Sequence, residues 1–410
     1  MRRAGTQKID FGWQVVAVAF VVAMYGWGIG FYGLPVFVHT LNQSHGWSMG
    51  VLSLAVTGHY LLSSVLVVFV ADLQQRWGLA TTTRLAVLLS GTGVMIWALA
   101  DQPWHIFLAA GLTAMGWSAM NTVTIAAIVS PWFTRQKPQA ITLALNGASA
   151  GGILFGPLWV TLIDGFGFAM AGGMVVASMI LIIWPLSWTH LQRKPVMTEP
   201  GMSLGADITP SMPRRIMLQD MRFLSMCTAF ALGLFVQVGT FAHLLTRLSP
   251  DMGTHMASYA LSLAAISAIL GRFLLAAGVA VIPLRVAAVV NFAVQIIGLL
   301  LMAFASDPLL LFCACFLFGL AVGNIVTLPP LIAQSEFRAV DAGRVLALST
   351  GISQGFFAFS PVVFGMAYDH FGTYMPGLVA AAFVQALAAT IIFAGRERTF
   401  AGRVTPPRCP

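Results

Sequence analysis

The chain has 410 residues, of which 58% are hydrophobic and 8% charged, and its net charge is +8. A soluble globular domain carries roughly 25% charged residues, so this composition excludes a set of soluble domains and points to a bilayer. The positive charge is no nucleic-acid footprint, because the basic residues are spread over short loops and form no patch interleaved with aromatics.

A membrane-crossing helix needs about 20 apolar residues. Met1-Arg2-Arg3 precedes an apolar run that is too long for a signal-peptide core and lacks a small-x-small cleavage site. It reads as a retained first helix. The apolar runs predict helices at about 13–38, 49–72, 82–100, 105–130, 139–163 and 168–188. Segment 189–221 holds Lys194, Pro195, Pro200, Gly201, Pro210, Pro213, Arg214 and Arg215, and is the one long polar linker. Further helices follow at about 222–246, 256–280, 284–305, 308–333, 343–367 and 373–394. The expected fold is an all-α membrane protein of twelve transmembrane helices. They form six-helix bundles over 1–188 and 222–395, joined by the linker 189–221 and followed by a tail, 396–410.

Every Lys and Arg except Arg247 and Arg272 falls on one side of this helix pattern. The positive-inside rule then puts both termini and the linker in the cytoplasm of a multi-pass protein of the plasma membrane, or of the inner membrane in a bacterium. The halves also repeat. Asn121-Thr122-Val123-Thr124 recurs as Asn324-Ile325-Val326-Thr327, and Ser149-Ala150-Gly151 with Pro157 recurs as Ser353-Gln354-Gly355 with Pro361. Asp164, Phe166 and Gly167 recur as Asp369, Phe371 and Gly372, and Leu52-Ser53-Leu54-Ala55 as Leu261-Ser262-Leu263-Ala264. Six-helix repeats around a linker are a transporter pattern, with the substrate site near the midplane. Cys227, Cys313, Cys315 and Cys409 have no metal-ligand spacing, and neither a metal nor another cofactor is implied.

Arg272 is the one charge expected deep inside a span, where it costs about 2.5–3.5 kcal/mol on insertion scales. The spans hold no Asp or Glu at comparable depth, which points to an anionic ligand. A guanidinium fork fits a carboxylate through two parallel bonds. The bland alternative is an arginine bonding helix carbonyls; its first-half counterpart is Ser63, and this asymmetry favours function. His59, followed by Tyr60, sits mid-helix and could relay a proton or simply be a neutral, hydrogen-bonded histidine. His243 near the outer end of the seventh helix is a gate or an interfacial residue. Asn121 and Asn324, and Gln237 and Gln354, are amides inside apolar runs. They face protein or a cavity, and interhelical bonding alone would also explain them. Tyr25, Tyr32, Phe356, Phe357 and Phe359 either line an aromatic cavity or pack.

Two motifs mislead. Gly28-Ile29-Gly30-Phe31-Tyr32-Gly33 fits the dinucleotide pattern, but no strand precedes it. Gly147-Ala148-Ser149-Ala150-Gly151 fits a nucleophile elbow but is helical. Both read as close helix packing, as does Gly152 to Gly156. Pro329-Pro330 is expected to bend or break the tenth helix.

The loop between the second and third helices resembles a signature of the major facilitator superfamily, Gly-x-x-x-Asp-Arg-x-Gly-Arg-Arg. Here it stands as Ala71-Asp72-Leu73-Gln74-Gln75-Arg76-Trp77-Gly78. Arg76 and Gly78 match, Gln75 takes the Asp position, and Asp72 offers a carboxylate one turn earlier. Pro131-Trp132-Phe133-Thr134-Arg135, then Ala140 and Asn146-Gly147-Ala148-Ser149-Ala150-Gly151-Gly152, resembles the monocarboxylate and oxalate–formate branch, as do Asp10 and Gly12-Trp13. The resemblance implies that Arg272 is that branch's substrate-binding arginine. The acidic residue one turn before it in proton-coupled members is Ala268 here, and the second basic residue of oxalate exchangers is Gln354.

The expected function is secondary transport of a small organic anion, a monocarboxylate, by alternating access, with proton symport, exchange against a counter-anion and uniport all open. Arg272 would bind the carboxylate, and His59, Tyr60, Tyr32, Asn121, Gln237, Asn324 and Gln354 would complete the site. Asp72, Arg76 and Gly78 would latch the loop, and a monomer suffices to enclose the path. The alternatives are an exporter of drugs or other lipophilic compounds with the same fold, a membrane serine hydrolase built on Ser149, and a non-transporting sensor. No metal set or oriented base supports the hydrolase, and the linker and tail leave little for an output domain.

Overall fold

The computed structural model describes residues 2–133, 136–192, 212–278 and 281–401. Most of the predicted linker, Thr134, Arg135, the side chain of Asp10 and the end of the predicted tail lie outside the described residues. Every regular element among the described residues is helical. In chain order the first are α1 (Arg2–Gly30), α2 (Gly33–His45), α3 (Met49–Trp77), α4 (Leu79–Ala98), α5 (Pro103–Ser118), α6 (Thr122–Val129), α7 (Lys137–Phe166) and α8 (Phe168–Leu186). A short α9 (Arg214–Met217) precedes α10 (Met221–Met252), α11 (Thr254–Gly278), α12 (Leu284–Phe304), α13 (Pro308–Glu336), α14 (Ala339–Phe357), α15 (Ser360–Phe371) and α16 (Met375–Ala401). They make twelve helical stretches long and apolar enough to cross a membrane. The chain is an integral multi-pass membrane protein.

Three spans that the sequence presents as single helices are interrupted. The first extends to His45 and is split into α1 and α2. At the break the N–H groups of Phe31 and Tyr32 both donate to Trp27 O, at 3.1 and 2.9 Å. The Trp159 indole donates to Gly28 O at 3.3 Å. Interrupted backbone persists in a membrane protein only where other groups meet its polar atoms. The fourth span is split into α5 and α6, and the Asn121 side chain caps α6 by accepting from Val123 N at 3.0 Å. The eleventh is split into α14 and α15, with Pro361 in the first turn of α15, where its missing N–H costs no ladder bond. The expected break at Pro329-Pro330 is absent. Residues of α13 stay helical from Pro308 to Glu336, and the ladder simply lacks two donors there.

The chain forms two compact units, Met1–Gly201 with Phe241–Ala265, and Met202–Thr240 with Ile266–Pro410. In the first unit α1 and α7 pack backbone to backbone. A Cβ on Gly151 would lie 2.5 Å from Met24 O, and one on Gly147 would collide with Phe20 O. The glycine motifs are packing devices, as expected. Phe155 fills the space beside Gly28, and the Trp117 ring that beside Gly30. The last part of α10 and the first part of α11 join this unit by polar contacts. Ser262 Oγ donates to Ile153 O at 2.7 Å, His255 Nε2 lies 2.7 Å from Asp164 Oδ2, and His243 Nε2 shares a 3.2 Å hydrogen bond with Ser53 Oγ.

The second unit has an apolar core that includes Phe230, Phe292, Ile325, Leu328, Val345 and Ile392. A buried ion pair adjoins it. Arg285 donates to both oxygens of Glu336, at 2.6 and 2.8 Å, and also to Ser225 Oγ, Arg222 O and Ile392 O. One guanidinium thus ties α10, α12, α13 and α16 together. Arg222 donates in turn to Glu336 O at 3.0 Å and to Asp220 Oδ2 at 2.7 Å. Burial pulls the Asp220 carboxyl upward, but the hydrogen bonds and charge of Arg222 outweigh it and hold the group below the ordinary carboxylate value. Arg272 is therefore not alone as an in-span charge: Arg285 and Glu336 also fall within spans, near their ends.

Candidate functional site

In the second unit Arg272 is half-buried on α11, where that helix crosses α13 at close range. A Cβ on Gly323 would lie 2.6 Å from Ala268 O and 2.7 Å from Arg272 Nε. The guanidinium arm therefore runs along a groove that exists only because residue 323 has no side chain. Asn324, the next residue, donates from Nδ2 to Leu320 O at 3.3 Å, while its Oδ1 is sealed from solvent with no hydrogen-bond donor among the described residues. On the other side α13 meets α10, where Ile325 lies 3.0 Å from a Cβ built on Gly233.

One turn along α10 from Gly233 is Gln237. Its Oε1 accepts from Gln295 Nε2 at 3.4 Å, and Gln295 Oε1 accepts in turn from Gln385 Nε2. Gln354 on α14 is half-buried, and its side chain makes no hydrogen bond among the described residues. A cavity of about 720 Å³ opens along α14 and is lined by Arg344, Ala347, Leu348, Gly351 and Ile352. These positions recur at helical spacing, so one stripe of α14 faces the void, with a cation at one end of the stripe.

In the first unit the α1–α2 break is surrounded by aromatic rings. Phe31 contacts Tyr32, Tyr60 and Phe241 at centroid distances of 5.0, 6.4 and 5.6 Å, and Tyr32 meets Phe241 edge-on at 5.9 Å. Tyr32 also covers Gly152. His59 is fully buried; its Nδ1 shares a 3.0 Å hydrogen bond with Thr113 Oγ1, and its Nε2 is sealed without a hydrogen-bond partner among the described residues. It stands edge-on to Tyr60 at 5.2 Å. The structure thus gathers three of the predicted residues, Tyr32, His59 and Tyr60, around one helix break. Asn121 stands apart from this cluster, as the cap of α6.

Asp72 and Arg76 are exposed, and neither makes an ion pair among the described residues. Gly78 has φ +82°, a conformation that side chains rarely adopt, and it ends α3 while starting α4. Asp72, Gln74 and Arg76 lie not in a loop but in the last turns of α3, which meets α4 at Gly78; the buried polar group there is Gln74, whose Nε2 donates to Thr124 Oγ1 at 3.1 Å. Sequence reading passed over several residues. Arg344 and Arg285 counted in the sequence only toward the cytoplasmic side, and Glu336 drew no partner. Gln295 and Gln385 were not singled out, although each is a lone amide in an apolar run and gave the same signal as Gln237.

A sequence model of the Major Facilitator Superfamily matches residues 16–361. The chain belongs to this superfamily. It is 29% identical to Monocarboxylate transporter 11 of Mus musculus over 170 residues, 40% of this chain and 37% of that one. The chain thus matches well under half the length of that relative. It is 24% identical to MFS-type transporter 1 of Ophiocordyceps sp. (strain BCC 1869) over 330 residues, 78% of this chain and 71% of that one. The crystal structure of the nucleoside transporter NupG shares the fold with a TM-score of 0.74, at 14% identity, covering 95% of this chain and 99% of that one.

Proposed function

We propose that this major facilitator protein moves a small organic anion, a monocarboxylate, by alternating access, and that Arg272 binds the carboxylate. The observation that carries this reading is the arm of Arg272 lying in the groove of Gly323, which presets the direction of its fork. A planar guanidinium held in one direction favours a planar carboxylate over a spherical anion. Within the second unit Asn324, Gln237 and Gln354 add amides on helices neighbouring Arg272, and within the first unit Tyr32, His59 and Tyr60 form an aromatic and imidazole cluster of their own. Asn121 acts through the α6 cap. Arg344, at the rim of the α14 cavity, raises the local concentration of anions. The α3–α4 junction with Asp72, Arg76 and Gly78 latches in another state of the cycle, since its charges stand exposed in this one. The working unit is a monomer in the plasma membrane with cytoplasmic termini, and it couples to a proton or a counter-anion. Partial identity to monocarboxylate transporters agrees with this substrate class.

Uptake of labelled lactate, pyruvate, formate, oxalate and an organic cation into proteoliposomes tests the proposal. Arg272→Lys keeps the charge but loses the fork, and carboxylate uptake should fall at least about tenfold, the cost of one paired hydrogen bond to a charged group. A pH gradient sorts proton coupling from exchange. Transport of the cation alone, or carboxylate uptake indifferent to Arg272→Lys, would overturn the reading in favour of an exporter of lipophilic compounds.

A further inference from the structure

The amides of Gln237, Gln295 and Gln385 form a chain through the second unit, from α16 through α12 to α10. Gln295 and Gln385 are fully buried, and Gln237 is 5% exposed. Interior positions of apolar helices are ordinarily filled by aliphatic side chains, and a buried amide has to find partners or be destabilising. Here each amide is the partner of the next, always in one sense. Gln385 donates to Gln295, and Gln295 donates to Gln237. The far end stops inside protein, since Gln385 Oε1 is sealed with no hydrogen-bond donor among the described residues. The near end does not. The Gln237 amino group makes no hydrogen bond among the described residues and is not among the sealed atoms.

An amide can flip about its last torsion, which exchanges a donor for an acceptor at nearly the same position. The chain removes that freedom from Gln237. Its carbonyl is engaged from within the unit, so its N–H groups are left for the open side. We infer that Gln295 and Gln385 are positioning residues that hold Gln237 as a hydrogen-bond donor toward the substrate. They touch no substrate themselves. A donor at that place selects a substrate atom with lone pairs and no proton, such as a carboxylate oxygen. This inference rests on the reading of Gln237 as a substrate-lining residue, and it adds the sense in which Gln237 binds and what enforces it.

The test is a thermodynamic cycle on substrate KM in proteoliposomes, with Tm in detergent as the folding control. Gln237→Leu should raise KM for the carboxylate about tenfold, the scale of one hydrogen bond to a charged group. Gln295→Leu should raise KM several-fold in the wild-type background and leave it unchanged in the Gln237→Leu background, because it acts only through Gln237. Gln385→Met, at the far end of the chain and close in volume, should give a smaller shift in the same direction, and it serves if Gln295→Leu does not fold. An effect of Gln295→Leu or Gln385→Met that persists undiminished without Gln237 would make those residues merely structural and overturn the inference. If Gln237→Leu leaves KM unchanged while Arg272→Lys still lowers carboxylate uptake at least about tenfold, Gln237 lies off the path; the substrate reading then survives and this inference falls.

Discussion

At Gly323 a single hydrogen atom in place of a methyl group sets the course of the Arg272 side chain. A Cβ there would meet a backbone oxygen at 2.6 Å and the guanidinium arm at 2.7 Å, and the oxygen cannot swing away. Gly323→Ala should therefore part α11 from α13 and turn the fork. Overpacking of this kind costs about 1–3 kcal/mol. The expected result is a lower Tm together with a KM for carboxylate raised several-fold. Gly343→Ala on α14 is the control, because nothing lies within 4 Å of its added Cβ. It should leave uptake and Tm unchanged or raise Tm slightly, since alanine is the better helix former. Equal damage from both changes, read by uptake and thermal unfolding, would remove the special role of the groove. Arg272 stood out in the sequence as a costly charge in an apolar run. Its groove was not, because Gly323 is 51 positions away in sequence and looks like many other glycines of these spans.

Among the elements, the interrupted spans carry most of the new information. Asn121 and Asn324 stand at matching places of an internal repeat, yet one caps a helix break and the other lies inside an unbroken α13. Their side chains therefore do different work. Asn121→Ala should cost about 1 kcal/mol, as for other lost N-caps, and Asn121→Ser should restore most of it. Both variants should keep the KM for carboxylate, as measured by uptake. A large rise in KM with no loss of Tm would instead put Asn121 in contact with the substrate. The prolines show the same limit of local reading. Pro361 opens α15 beside a break, whereas Pro329 and Pro330 sit in a continuous helix. A proline removes a donor wherever it stands, but whether the helix breaks depends on what neighbouring helices offer its backbone.

For the molecule as a whole, the Arg285–Glu336 pair matters because Arg285 joins four helices of the second unit. Its side chains are only 4% and 12% exposed, so solvent does little to screen it. Removal of one partner leaves a buried charge, which typically costs about 3–5 kcal/mol. Glu336→Ala should lower Tm strongly. The double variant Glu336→Ala with Arg285→Leu should recover much of the loss, since no orphan charge remains. Thermal unfolding in detergent checks both, and a double variant no better than the single would mean that the further bonds of Arg285, to Ser225, Arg222 and Ile392, matter more than the ion pair.

Apolar runs, the placement of Lys and Arg and the glycine motifs were enough to read twelve membrane helices and close packing at Gly28 and Gly151. Those properties are additive along the chain, for a bilayer tests each span for length and polarity largely by itself. The repeat and the loop around Arg76 and Gly78 were enough to point to the superfamily. Tertiary structure alone decided where the spans break, which amides bond to one another, and which carboxylate meets Arg285. A polar side chain in an apolar run announces that it needs a partner, but the partner is chosen by helix packing. Gln237, Gln295 and Gln385 come from three helices and become a chain only when α10, α12 and α16 lie side by side.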